Sequence, residues 1–298
     1  MKKEAGALRE LEYRIGSEFD GMRAGDYLRR HQGFSGRVLR DIRKDASSID
    51  CCGSHIRLVD PLHTGDVLRI RLQEPDWQLE PSSLSVPIAY EDEDVIVFNK
   101  PAGMPCHPTP AHRRDTLANV FAGLCAQREE RMVFRPLNRL DKDTSGLVLA
   151  AKNSYAASWA AQSCQKQYLA LCCGRLPEDF GRIDLPIGQP DAQAPRRAVL
   201  REGQRAVTNY RVLQRFDNYT LLCISLGTGR THQIRVHFAH TGHPLAGDLL
   251  YGGTMELLDH QALHCFRLRF QPPGGQQAVW VQGALCKEFE NALHLLGK

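Results

Sequence analysis

The residues best suited to chemistry lie in the stretch N-R-L-D-K-D-T-S-G-L-V-L-A-A at positions 138–151. Its first half mixes charged and small polar residues in an order that neither an amphipathic helix nor a strand requires. Its second half is an apolar run with strand character. A polar loop feeding a buried strand presents a reactive side chain on a firm support. Asp141 is the candidate, because Arg139 and Lys142 flank it and positive charge nearby favours an anion. A carboxylate that merely caps its own turn is the competing reading. A second group follows the turn Gly227-Thr228-Gly229, where Arg230, His232, Arg235 and His237 come in quick succession on what reads as a strand-turn element. A third lies beyond Lys100-Pro101, where proline ends a strand. There His107, His112, Arg113 and Arg114 gather in one loop and suit a polyanion.

Other chemistries lack their handles. The ten cysteines show no C-x-x-C pair, and no two histidines stand four apart with a glutamate between them, so no metal site is expected. Neither G-x-G-x-x-G, G-x-x-x-x-G-K-[ST] nor G-x-S-x-G occurs. A lone loop carboxylate, a tyrosine at a strand start (Tyr168) and a set of arginines suit a nucleophile or base acting on a polyanion without any cofactor. The hydrophobic fraction of 42% and charged fraction of 24% are those of an ordinary globular chain. A net charge of +4 permits a nucleic-acid partner only through local basic patches. The leading M-K-K-E-A-G-A-L-R-E lacks the apolar core of a signal peptide, and no apolar run is long enough to span a bilayer. A cytoplasmic protein with reduced thiols and no membrane partner is expected.

The elements that must position these residues fall into two units. Residues 1–75 form a small N-terminal domain with helices at 23–31 and 36–44 and strands at 56–59 and 67–72. Arg29, Arg30, Arg37, Arg40, Arg43 and Lys44 there are suited to RNA phosphates. The proline- and serine-bearing stretch at 74–86 reads as the linker, which sets domain limits of 1–75, 76–87 and 88–298. Beyond it come a strand, an acidic turn and a second strand from residue 88, then helices at 116–130 and 154–167. Further strands follow at 168–173, 203–213, 219–226, 264–270 and 279–283. The fold class is α+β, with a mixed, mainly antiparallel sheet in the catalytic domain.

Five motifs in order carry a resemblance. They are N-K-P-A-G at 99–103, R-L-D-x-x-T-S-G-L at 139–147, K-x-Y-L-A-L at 166–171, G-R-T-H-Q-I-R-V-H at 229–237 and G-H-P-L-x-G-D-x-x-Y-G at 242–252. Together they resemble the RluA-type pseudouridine synthase family. The N-terminal unit is similar to a small RNA-binding module shared with a ribosomal small-subunit protein, although its usual V-x-V-N-G turn reads Ile49-Asp50-Cys51-Cys52-Gly53 here.

The resemblance implies isomerisation of a uridine in RNA to pseudouridine, with no cofactor, by a chain acting as a monomer. Asp141 is then the essential carboxylate, either attacking C1′ or taking the 2′ proton. Arg235 pairs with it, and Tyr168 lies against the uracil and assists removal of the C5 proton. Arg139 binds backbone phosphate and helps extrude the base. Asn138, Lys100, His107, Arg230, His232 and Ile234 complete the substrate-binding set, with Arg113, Arg114, Arg196 and Arg197 holding flanking RNA. The family usually has His where this chain has Asn138. Ribosomal RNA is favoured as the substrate. Transfer RNA, or an inactive RNA-binding protein of the same fold, are the alternatives. A two-carboxylate glycoside hydrolase is disfavoured, because beyond Asp141 and Asp143 no second acid is placed.

Overall fold

The computed structural model describes residues 8–73, 79–130, 132–191, 196–272 and 277–297. The chain begins with strand β1 (Leu8–Arg14), helices α1 (Ala24–Arg30) and α2 (Gly36–Lys44), and strands β2 (Ile49–Cys51), β3 (Ser54–His55) and β4 (Val67–Gln73). These strands pair antiparallel in the order β1-β4-β2-β3. Ser35 caps α2 by accepting from the Val38 N–H at 3.3 Å, and Val38 and Ile42, four apart, are the buried face. Arg37, Arg40, Arg43 and Lys44 consequently point outward. The strand expected at 56–59 is absent. Instead Asp60 accepts from the Arg57 N–H at 2.8 Å while its own N–H bonds the Arg57 carbonyl, which closes a turn.

The larger sheet collects β5 (Ile88–Glu91), β6 (Val95–Lys100), β7 (Arg135–Pro136), β8 (Ser145–Ala151), β9 (Gln165–Cys173), β10 (Phe180–Asp184), β13 (Val207–Arg215), β14 (Tyr219–Leu226), β15 (Leu263–Phe270) and β16 (Val279–Gln282). Between β10 and β13 a small hairpin pairs β11 (Ile187–Gly188) with β12 (Ala198–Val199). The helices are α3 (Leu117–Gln127), α4 (Ser154–Ser163), α5 (Gln233–His240) and α6 (Lys287–Leu296). Strand order is β10-β13-β14-β9-β15-β8-β6-β5, with β16 on β15 and β7 on β8. Among the described strands only β15 and β8 run parallel. Every residue of β8 is buried, which explains its unbroken apolar run.

Two elements differ from the sequence expectation for physical reasons. The helix expected at 154–167 stops at Ser163, because Cys164 turns extended (ψ 109°) and β9 starts at the next residue, Gln165. The strand-turn element expected after Gly229 is helix α5. It is buried from Gln233 to Phe238, so no polar face marks its period in the sequence. Strand β1 and helix α6 carried no signal that the sequence reading used.

The N-terminal unit is docked on the larger sheet. Phe34 meets Tyr155 of α4 with ring centroids 4.6 Å apart, and Arg9 bonds Glu93 at 2.9 Å and Asp94 at 3.2 Å in the β5–β6 turn. The two cores form one continuous cluster of buried side chains. Part of the expected linker, residues 74–78, lies outside the described residues. The remainder is strapped along α3, with the Ser82 N–H on the Asn119 carbonyl and the Asn119 amide on the Glu80 carbonyl, at 3.0 and 2.8 Å.

Candidate active site

The loop before β8 is held from inside at every second residue. Asn138 is buried; its amide donates to the Leu147 carbonyl at 3.0 Å and accepts from the Leu149 N–H at 2.8 Å, so it bonds β8 as a neighbouring strand would. The Cys106 thiol donates to the Leu140 carbonyl at 3.5 Å. The Lys100 ammonium is buried and donates its three protons to the carbonyls of Pro101, Met104 and Lys142 at 2.9, 2.7 and 2.9 Å. Thr144 closes a turn on the Asp141 carbonyl at 3.1 Å, and its hydroxyl accepts from Gln261 at 3.0 Å. Residues 138, 140, 142 and 144 are thereby fixed, and the side chains of Arg139 and Asp141 are left to the outside.

Asp141 does not cap its own turn. Its Oδ2 accepts from Nη1 of Arg235 at 3.1 Å and lies 3.7 Å from Nε2 of His232, while Oδ1 has no hydrogen-bond partner among the described residues. Arg235 is buried in the first turn of α5 and holds Asp248 with Nε and Nη2 at 2.7 and 2.8 Å. Burial disfavours its charge, but Asp248 and then Asp141 outweigh burial, and the guanidinium pKa is raised. The Tyr251 ring lies 5.0 Å from the Arg235 guanidinium carbon.

His232 stands at the N-cap of α5 in the left-handed conformation (φ 56°), which delivers its ring between Asp141 and Tyr251. The Tyr251 hydroxyl accepts from the Arg197 N–H at 2.8 Å and meets Nδ1 of His232 at 2.9 Å. Hydrogen-bond accounting therefore assigns the Tyr251 proton to Nδ1 and leaves Nε2–H facing Asp141. Burial pushes the His232 pKa down; Asp141 opposes that and Arg235 adds to it, so the ring is neutral at pH 7.

A cavity of about 70 Å³ opens beside Asp141. Its apolar wall is Leu140, Leu226, Ile234 and Leu263, and Tyr168, Arg139, Arg230, His232 and Arg235 are among its polar lining. Tyr168 is buried in β9, and desolvation, then the nearby Cys265, Cys164 and Asp141, raise its pKa well above the ordinary 10. The phenol is neutral at any physiological pH, so it offers a flat face and a donor rather than a resident base. Arg230 is exposed at the rim, with Nε on the Arg205 carbonyl at 3.1 Å. His107 packs edge-on against Phe134, with centroids 5.6 Å apart; burial, aided by nearby Arg139, lowers its pKa.

The structure thus gathers Asp141, Tyr168, Arg235, Arg139, Arg230, His232 and Ile234 around one cavity. It turns Asn138 and Lys100 away from that cavity and into the backbone of the same loop. Of the flanking arginines, Arg114 pairs with Glu80 at 2.7 Å, and Arg196 stacks on Tyr251 with its guanidinium carbon 5.4 Å from the ring. Sequence reasoning missed Asp248 and Tyr251. Their signal was the glycine-rich loop at 242–252, where Gly247 takes φ 74° and a Cβ would come within 2.0 Å of the His260 carbonyl oxygen. A larger cavity of about 890 Å³ lies between α2 and the β7–α4 side and does not touch Asp141. The sulfurs of Cys51 and Cys52 and the Asp66 carboxylate lie within 4.8 Å of one another in the N-terminal sheet, a grouping that residue spacing had not suggested.

A mixed, mainly antiparallel sheet in this strand order defines a pseudouridine synthase type of fold. Human RNA pseudouridylate synthase domain containing 1 superposes with a TM-score of 0.53 at 26% identity, over 72% of this chain and 95% of that one. The sequence family described as RNA pseudouridylate synthase matches residues 94–240. YlyB of Bacillus subtilis (strain 168), an RNA pseudouridine synthase by name, is 38% identical over 83% of this chain and 84% of its own. Ribosomal large subunit pseudouridine synthase D of Pseudomonas aeruginosa is 36% identical over 82% of both. The chain belongs to the RNA pseudouridine synthase family, of the RluA type, whose members are isomerases acting on RNA. Among the described residues no helix is long and apolar enough to cross a membrane.

Proposed function

We propose that the chain converts a uridine of ribosomal RNA to pseudouridine in the cytoplasm, as a monomer, with Asp141 as its essential carboxylate. The observation that carries this reading is the geometry of Asp141 itself. One oxygen is fixed by a buried arginine and the other, Oδ1, is unpartnered beside the cavity. An anion aimed by one oxygen and free at the other meets the demand of either route, attack at C1′ or removal of the 2′ proton. In both, the N1–C1′ bond breaks, the uracil turns while bound, C5 joins C1′, the C5 proton leaves and the freed N1 takes up a proton, so the product is an isomer. Tyr168, neutral and buried, supports the freed ring and donates to it. Arg139 and Arg230 at the rim bind phosphate and hold the nucleotide out of its stack.

The choice of ribosomal RNA rests on the large-subunit synthase among the similar proteins. Carbodiimide-stop mapping of RNA from cells carrying the wild-type or the Asp141→Asn protein tests both parts. One uridine in large-subunit RNA should lose its stop in the variant, while purified variant still binds that RNA. Persistence of the stop would remove Asp141 from its role, and a lost stop confined to transfer RNA would replace the substrate.

A further inference from the structure

The sheet that carries Tyr168 on its inner side has an outer side that the site does not use. Side chains alternate along β9, so Gln167 and Leu169 face away from Tyr168. Cross-strand register carries that outer face through Cys223, Arg211 and Phe180 in one direction. In the other it passes through Arg267 and Arg269 to Trp280. Helix α6 covers the end of this face around Leu171 and Leu169; beyond it Phe180, Arg211 and Trp280 are exposed and Cys223, Arg267 and Arg269 partly so.

The open part has a consistent composition. Phe180 and Trp280 are 77% and 58% exposed, unusual for large aromatic side chains. The guanidinium carbons of Arg269 and Arg267 lie 5.7 and 5.9 Å from the Trp280 ring. Burial raises the Cys223 thiol pKa, and Arg211 and Arg267, near it on this face, offset part of that rise. The acids near the face are already neutralised by other arginines: Asp184 by Arg182 and Arg205, and Asp179 by Arg215. Arg211, Arg267 and Arg269 have no carboxylate partner among the described residues. Buried charge does not explain them, and neither does a network of ion pairs.

We propose that this outer face is a second RNA-binding surface, which takes a single-stranded segment by stacking bases on Trp280 and Phe180 and holding phosphates with Arg211, Arg267 and Arg269. Five inter-strand steps separate the two aromatics in the strand order. At about 4.8 Å per step that is roughly 24 Å, a length that a short run of nucleotides covers. Exposed aromatic faces favour unpaired bases over a duplex, whose base faces are already stacked, and stacking of this kind is tolerant of sequence. The surface lies across the sheet from Asp141, so it binds RNA flanking the target rather than the target nucleotide. That role rests on RNA being the substrate; the binding itself does not.

A labelled oligoadenylate of about a dozen nucleotides, which contains no uridine, probes the face without engaging the reaction. Fluorescence anisotropy with the full chain should give binding that weakens about tenfold in Trp280→Ala, since a lost base stack is worth roughly 1–3 kcal/mol. Trp280→Phe should restore most of it. Arg267→Gln with Arg269→Gln should flatten the dependence of log affinity on log salt by about 1.4, from ~0.7 per phosphate contact. All these variants should keep wild-type turnover at saturating RNA. Unchanged affinity in Trp280→Ala together with an unchanged salt slope in the double variant overturns the proposal. Equal loss in Trp280→Phe and Trp280→Ala overturns the stacking part. Asp141→Asn should bind the oligoadenylate as wild type does; if that variant kept isomerase activity, the catalytic assignment would fall and the outer face would stand.

Discussion

Arg235 bonds two carboxylates at once: Nε and Nη2 grip both oxygens of fully buried Asp248 at 2.7 and 2.8 Å, and Nη1 reaches Asp141 at 3.1 Å. Only the planar fork of arginine can aim at one acid while held by another. Arg235→Lys keeps the charge and loses that division of donors. Activity on RNA should fall about 100-fold, because a misplacement near 1 Å costs that much, while RNA affinity stays within about threefold. Arg235→Gln should also lower thermal stability, since Asp248 is left buried without a counter-charge, a loss of about 3–5 kcal/mol. An Arg235→Lys enzyme with wild-type single-turnover rates would refute this account of the pair.

Lys100 links stability and loop order through pH in opposite directions. Burial pushes its ammonium from near 10.5 down to about 8. The unfolded chain therefore keeps the proton to higher pH than the folded one, so this group's contribution to stability rises between about 8 and 10.5 and is lost as pH falls through 8. The neutral amine has two N–H groups for three carbonyls, so the loop that carries Asp141 loosens over the same window. Wild type should gain melting temperature relative to Lys100→Met from pH 7.5 to 9.5 while its turnover declines. A melting-temperature difference that stays flat with pH would exclude this origin.

Asn138 should be a stability position rather than a specificity position. Asn138→Ala leaves the Leu149 N–H and Leu147 carbonyl buried without partners, each costing about 1–3 kcal/mol. Urea unfolding should show a loss of about 2–6 kcal/mol, with the pattern of modified uridines unchanged. A changed set of modified sites in a variant of native stability would return Asn138 to the substrate surface.

Gly146 sits at φ 111° where β8 pairs parallel with β15, and a Cβ there would lie 2.3 Å from the Cys265 carbonyl oxygen. Backbone cannot yield as a side-chain tip can, so Gly146→Ala should separate the strands that carry Ser145 and Cys265. We expect a destabilisation above about 3 kcal/mol and loss of activity, read by circular dichroism melts and single-turnover assays. A native melt for this variant would show that the approach of the two strands is not needed.

The chain by itself determined the family, through five motifs in order, and most of the frame. Asp141 stood out because a polar loop met an apolar strand, and strands such as β6, β8 and β14 announced themselves by apolar runs and alternation. Local rules sufficed there, because the pattern that marks the element also forms it. Tertiary structure decided what each polar residue near Asp141 does. Asn138 and Lys100 have polar side chains in the right loops, yet both face inward, since buried carbonyls and N–H groups must find partners somewhere. Asp248, remote in sequence and set in a glycine-rich loop, became the anchor of the site because Arg235 can be buried only beside a counter-charge. The path of α5 was likewise hidden: a helix enclosed on all sides has no polar face, and without one its period cannot be read before the neighbours that enclose it are in place.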